Sequence, residues 1–154
     1  EGQPAQYRSF EAHIALAKKH GIAMQIHDRD AHEEVLRLLE SVGAPEKTVF
    51  HCFSGDAEMA RIAADRGYYL SFAGNITFKN AQNLRDALAV TPGERILVET
   101  DAPFLTPVPH RGRPNAPYLV PITLRFMAAE LGVSVDELAA QVAANTLEVY
   151  GTFA

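Results

Sequence analysis

Short apolar runs that stop on a polar residue recur along the chain and set its plan. Ala23-Met24-Gln25-Ile26-His27, Thr48-Val49-Phe50-His51 and Ile96-Leu97-Val98-Glu99 have this form, and Tyr68-Tyr69-Leu70-Ser71-Phe72 is a further run of strand length. Compact runs of this kind predict strands buried on both faces of a parallel sheet. The expected strands are Ala23 to His27, Lys47 to Cys52, Tyr68 to Phe72, and Arg95 onward.

Helical spacing fills the intervals. Tyr7, Phe10, Ile14 and Ala17 give a helix from Pro4 to His20 one apolar face. Asp30 with Glu33 predicts a capping box for a second helix, with Val35, Leu38, Leu39 and Val42 inward and Gly43 at its end. Asp56 predicts the cap of a helix from Ala57 to Arg66, and Asn80 the cap of one running to about Val90. Helices from about Ile122 to Leu131 and from Ser134, paired with Glu137, close the chain. Strands alternating with helices predict an α/β fold of parallel βαβ units, a TIM-barrel-like (β/α) arrangement.

Length qualifies that picture. The 154 residues suit a single domain, 1–154, with a real core. A complete eight-stranded barrel takes roughly 200 residues or more, so a barrel reading requires that the chain be part of one. A first residue of Glu1 rather than Met leads to the same expectation, a start inside a longer protein. The net charge of −5 excludes blanket attraction to nucleic acid but leaves room for a metal-centred phosphate site. The lone Cys52 excludes an internal disulfide and suits a reducing compartment, so the expected location is cytoplasmic, with no membrane partner.

The chemistry-bearing residues fall at the ends of the strands. If His27, His51 and Asp101 converge at one end of a parallel sheet, they form a donor set suited to a divalent metal such as zinc, manganese or iron. Taken singly, a strand-end histidine is more often a structural residue than a ligand, so the case rests on three matching ends. Glu99 and Asp101, two apart, share a face if the strand continues through them. Glu99 fits best as a hydrogen-bond partner that orients a ligand histidine, with direct metal binding or a plain interior position as alternatives. Arg29 either clamps a phosphate oxygen or pairs with Asp28, Asp30 or Glu99. Cys52 adjoins His51 and should face the other way as a small core residue. His13, His20 and His32 read as helix-surface residues.

The one compositional break is the loop from Ala102 to Pro121, which holds six of the nine prolines together with His110, Arg111 and Arg113. A long loop stiffened by proline is either a rigid connector or a substrate contact.

Several of these stretches together resemble one family. His27-Asp28-Arg29-Asp30-Ala31, His51-Cys52-Phe53-Ser54-Gly55, Glu99-Thr100-Asp101-Ala102-Pro103 and Pro109-His110-Arg111-Gly112 with Asn115 resemble, in order, motifs of the TatD-type metal-dependent deoxyribonucleases. Tyr69 to Gly74 and Asn145 to Gly151 fit as well. The resemblance implies a barrel of the amidohydrolase superfamily, here its C-terminal part with about four strands plus closing helices. It implies one or two divalent ions (Zn, Mn, Mg or Fe) in the intact enzyme and hydrolysis of phosphodiester bonds in DNA, often single-stranded. His27 and His51 would be ligands, Asp101 a ligand and proton acceptor, and Arg29 and Arg111 substrate contacts. The family's H-x-H pair and its further Glu have no counterpart in this chain, which makes a partial site the expectation. The alternatives are a C–N or ester hydrolase of the same superfamily and an inactive truncated module. Half a barrel has two open sheet edges, so self-association is expected too.

Overall fold

The computed structural model describes residues 2–152. The elements run α1 (Gly2–His20), β1 (Met24–His27), α2 (His32–Val42), β2 (Thr48–His51), α3 (Ala57–Asp65), β3 (Tyr69–Phe72), α4 (Gln82–Val90), β4 (Ile96–Val98), α5 (Val120–Leu131) and α6 (Val135–Tyr150). Single 3-10 turns occupy Gly74–Thr77, Gly93–Arg95 and Pro117–Leu119. The strands lie in sequence order, β1-β2-β3-β4, and every pairing is parallel. This is the α/β, TIM-barrel-like arrangement read from the alternation.

Strand periodicity sorts the two faces of the sheet. Ile26, Phe50, Leu70 and Ile96 are in register and face the helices, in one apolar cluster with Ile14, Leu39, Ala60, Ala63, Leu84 and Met127. The intervening residues Val49, Tyr69 and Leu97 face the other way and pack with Val149, Ala23 and Tyr150, and the Arg95 guanidinium lies over the Tyr69 ring. In a closed barrel that second face is the interior. Here α6 covers its lower end. Asn145 Nδ2 donates to the carbonyls of Gly93 and Ile96, at 2.8 and 2.7 Å, and Gln25 Nε2 donates to the Tyr150 hydroxyl at 2.7 Å.

The helix starts separate two kinds of capping. Asp56 accepts from Met59 N–H, and Ser134 from Glu137 N–H, as their positions predict. Asp30 does not cap α2. It sits at φ 55 in the connecting turn, and the Asp28 carboxylate accepts the Ala31 N–H instead. Asn80 does not cap α4 either, because that helix begins one residue later, behind Ala81. Asp30 misses because the turn after β1 sets the Asp28 carboxylate, not its own, against the first turn of α2. The strands are likewise shorter than their apolar runs. β2 stops at His51 because Cys52 takes φ 48, and β4 stops at Val98.

Candidate metal centre

Four non-glycine residues adopt positive φ: Asp30, Cys52, Asp101 and Leu105. All lie in the segments that follow β1, β2 and β4. Left-handed backbone at such residues is strained and gathers where side chains must be aimed. At this end of the sheet β2 and β4 break sharply, just after His51 and Val98.

His51 stands at the centre. Its Nδ1 lies 2.8 Å from Glu99 Oε2, and its Nε2 lies 3.3 Å from Asp101 Oδ1. Glu99 Oε2 also accepts the Cys52 N–H at 3.1 Å, and the Glu99 N–H donates to the Phe72 carbonyl at 3.0 Å. The carboxylate is therefore held from the end of β2, and the Glu99 backbone from β3. Its other oxygen, Oε1, is buried without a hydrogen-bond partner. One donor atom each from His51, Glu99 and Asp101 lies within 4.8 Å of the others.

This donor set fits a divalent cation. A carboxylate cannot donate, so the imidazole gives its Nδ1 proton to Glu99, which turns the Nε2 lone pair toward an Asp101 oxygen. Two electron-rich atoms 3.3 Å apart repel unless a proton or cation lies between them. Two ligands on one tetrahedral zinc ion, each at about 2.0–2.1 Å, would lie roughly 3.3 Å apart.

The expected residues divide as follows. His51 and Asp101 come together, with Glu99 against the imidazole as its orienting partner. Asp101 reaches the group through its left-handed turn rather than as a strand neighbour of Glu99, because β4 has already ended. His27 is the in-register partner of His51 on the edge strand, with ring centroids 5.8 Å apart, but it stands outside the tight group and is exposed. Arg29 makes no ion pair among the described residues. It lines a cleft of about 510 Å³ between α1 and α2 with Tyr7, Phe10 and Glu34. Arg111 lies over the Phe78 ring, 4.3 Å from its centroid.

Cys52 is buried, as expected, though it lies past the strand rather than in it. Burial above all, and then the charges of Glu99 and Asp101, push its thiol up to about 12, with Arg29 pulling weakly the other way. It stays a neutral thiol at ordinary pH. His32 departs from its expected solvated state: it is half-buried and its Nδ1 pairs with Asp28 Oδ2, while Ser54 donates to the Asp28 carbonyl. Asp28 thus ties the turn after β1 to the turn after β2. The pattern of apolar residues carried no sign of this pair.

The proline-rich loop is built onto the site. Asn115, itself buried, donates from Nδ2 to the carbonyls of Thr100 and Phe104, at 2.8 and 2.7 Å. Val108 N–H donates to Thr77 Oγ1 at 2.9 Å, and a Cβ at Gly74 would overlap the Leu105 carbonyl. Asn115 was visible in the sequence only through its place in a motif.

A family profile described as "TatD related DNase" matches residues 1–151. The chain is 44% identical over 146 residues to the uncharacterized metal-dependent hydrolase TatD of Mycobacterium tuberculosis, covering 95% of this chain and 55% of that one. It is 42% identical over 140 residues to the uncharacterized metal-dependent hydrolase YcfH of Escherichia coli, covering 90% and 53%. Among solved structures, the TatD homologue YJJV of Escherichia coli superposes with a TM-score of 0.85 at 28% identity, over 91% of this chain and 54% of that one. A TatD-family hydrolase of Entamoeba histolytica, 21% identical, shares the fold with a TM-score of 0.80 over 97% and 57%. The chain spans about half the length of the curated relatives it matches.

Proposed function

This chain belongs to the TatD related DNase family, and from that premise we propose that it carries the metal-dependent half of a phosphodiester hydrolase acting on single-stranded DNA. The observation that carries the reading is the pair of contacts on His51. One ring nitrogen is fixed by Glu99, and the other faces Asp101 at the spacing of two ligands on one ion. His51 and Asp101 would hold a divalent ion, with His27 beside them on the neighbouring strand. Glu99 orients His51 through its other ring nitrogen. A divalent ion held there supplies acidification of water and polarisation of a phosphoryl oxygen.

The side chains do the remainder. Asp101 accepts the proton of the attacking water through a carboxylate oxygen. Glu99 keeps the imidazole in the tautomer whose Nε2 faces the ion. Arg29, which makes no ion pair among the described residues, would neutralise non-bridging phosphate oxygens; Arg111, stacked on Phe78, would extend that charge along the strand.

The test is hydrolysis of a short single-stranded DNA beside cyclic amides and carboxylic esters, with manganese, zinc or magnesium added after chelation. Metal-restored release of nucleotides supports the proposal. Restored amide or ester cleavage with DNA left intact would move the chain to another chemistry of the superfamily, and no metal-restored turnover would leave it an inactive module.

A further inference from the structure

Apart from the carboxylate–histidine group, Phe104 is an apolar residue that packing does not explain. It is 69% exposed. A single exposed apolar side chain is ordinary on a protein surface, but the mounting of this one is not. Its N–H donates to the Asp101 carbonyl at 2.9 Å, closing a turn that begins at the proposed proton acceptor. Buried Asn115 donates to the carbonyls of Phe104 and Thr100, and its own N–H donates to the Pro103 carbonyl at 3.0 Å. On the far side, Leu105 is locked at φ 54 with its carbonyl against Gly74. The backbone that carries the open ring is therefore fixed relative to Asp101 from both directions.

A turn of this kind keeps its first and last Cα atoms within about 7 Å. The backbone of an exposed aromatic residue is thus a close neighbour of the backbone of the group proposed to meet a scissile phosphate. Bases stack on such faces without regard to sequence, because every base has a π-face. A base inside a duplex is already stacked on both sides and has no face to give.

We propose that Phe104 is a stacking platform for the unpaired base adjoining the scissile phosphate. The proposal rests on the phosphodiesterase reading and adds to it a substrate subsite. Unpaired strands and frayed ends are preferred there because only they can present a base to the ring.

The chain contains no tryptophan, so Phe104→Trp introduces a single indole reporter. The probe is a phosphorothioate oligothymidylate, compared with an abasic phosphorothioate of equal length, each titrated with and without manganese. The expected result is quenching by the oligothymidylate and little by the abasic strand, with no response from Val133→Trp in the turn between α5 and α6. Phe104→Ala should weaken oligothymidylate binding by about 5- to 150-fold, the loss of one base–aromatic stack, and leave abasic binding unchanged. Oligothymidylate binding with unchanged indole emission, or equal affinity in Phe104→Ala, would overturn the platform and leave the phosphodiesterase reading standing. No binding of either strand, together with no hydrolysis of DNA, would overturn both.

Discussion

Glu99 Oε2 sits 2.8 Å from His51 Nδ1 while Glu99 Oε1 stays buried without a partner. One carboxylate thus has two environments. One oxygen aims the imidazole, and the other is left desolvated beside the Asp101 charge. A group serving stability alone would be paired at both oxygens, because an unpaired buried polar atom costs about 1–3 kcal/mol.

Glu99→Gln separates the two roles. In the metal-free chain it removes a charge from beside Asp101, so the melting temperature should hold or rise. Metal affinity should fall about 10- to 100-fold, the usual effect of losing the partner that orients a ligand histidine. Calorimetric titration with zinc and thermal melts in chelator read the two effects. A clear drop in the metal-free melting temperature with unchanged affinity would make Glu99 a structural residue.

Asp101→Ala tests the proton acceptor. Its carboxylate is half-exposed and the backbone turn it occupies is held by Asn115, so the fold should persist. Metal-dependent hydrolysis of single-stranded DNA should fall by at least about 10²–10⁴, the range for general acid–base catalysis. Turnover is measured beside circular dichroism; an unchanged rate removes Asp101 from the role.

How far the sequence reveals this site depends on where strand periodicity stops. Ile26, Phe50, Leu70 and Ile96 pack as the apolar runs require, and the parallel order follows from the alternation. Past the strand ends, periodicity carries no information. Asp101 reaches His51 only because it takes φ 56. The Asp28–His32 pair and the Asn115 clamp are local turn chemistry, set by which carbonyl or N–H a sharp turn leaves free. The same holds for the failed caps at Asp30 and Asn80. Motif resemblance reached Asp28, Asp101 and Asn115 because motifs record turns as well as strands.

Cys52 gives a pH prediction with a definite sign. Its thiol lies near 9.0 when exposed and is pushed up to about 12 in the fold, chiefly by burial. The folded form therefore keeps its proton as pH rises past the unfolded value. Any stability contribution is complete below about pH 9 and is lost as pH approaches 12. In the chelated chain, thiol-specific labelling at pH 8.5 should be slow when native and fast in denaturant. Equal labelling rates in the two states would show that Cys52 is open to solvent.

Asn145 tests the scaffold apart from the site. Its side chain donates to the carbonyls of Gly93 and Ile96 at the entry to β4. Asn145→Ala should cost about 1–3 kcal/mol of stability, chiefly through the buried Ile96 carbonyl that loses its side-chain donor. Zinc affinity should change little, because Asn145 lies at the opposite end of β4 from Glu99 and Asp101. Urea denaturation gives the first quantity and calorimetric titration the second; a large loss of affinity at unchanged stability would contradict the separation.

The last prediction concerns the open edges. Among the described residues β1 and β4 each pair on one side only, so each offers a row of backbone donors and acceptors to another strand. The β1 side adds apolar surface, with Ile22 57% exposed just before the strand and Leu16 51% exposed on α1 above it. No charged side chain occurs from Ile22 to Ile26 to discourage pairing. We expect this chain to associate with itself as concentration rises, through the β1 edge before the β4 edge, because α5 and α6 both pack on β4. Ile22→Lys places a charge beside the edge without touching the core and should shift the chain toward monomer in sedimentation velocity. A monomer at high concentration, with no response to Ile22→Lys, would mean that the edges are too short or too bent to template a partner.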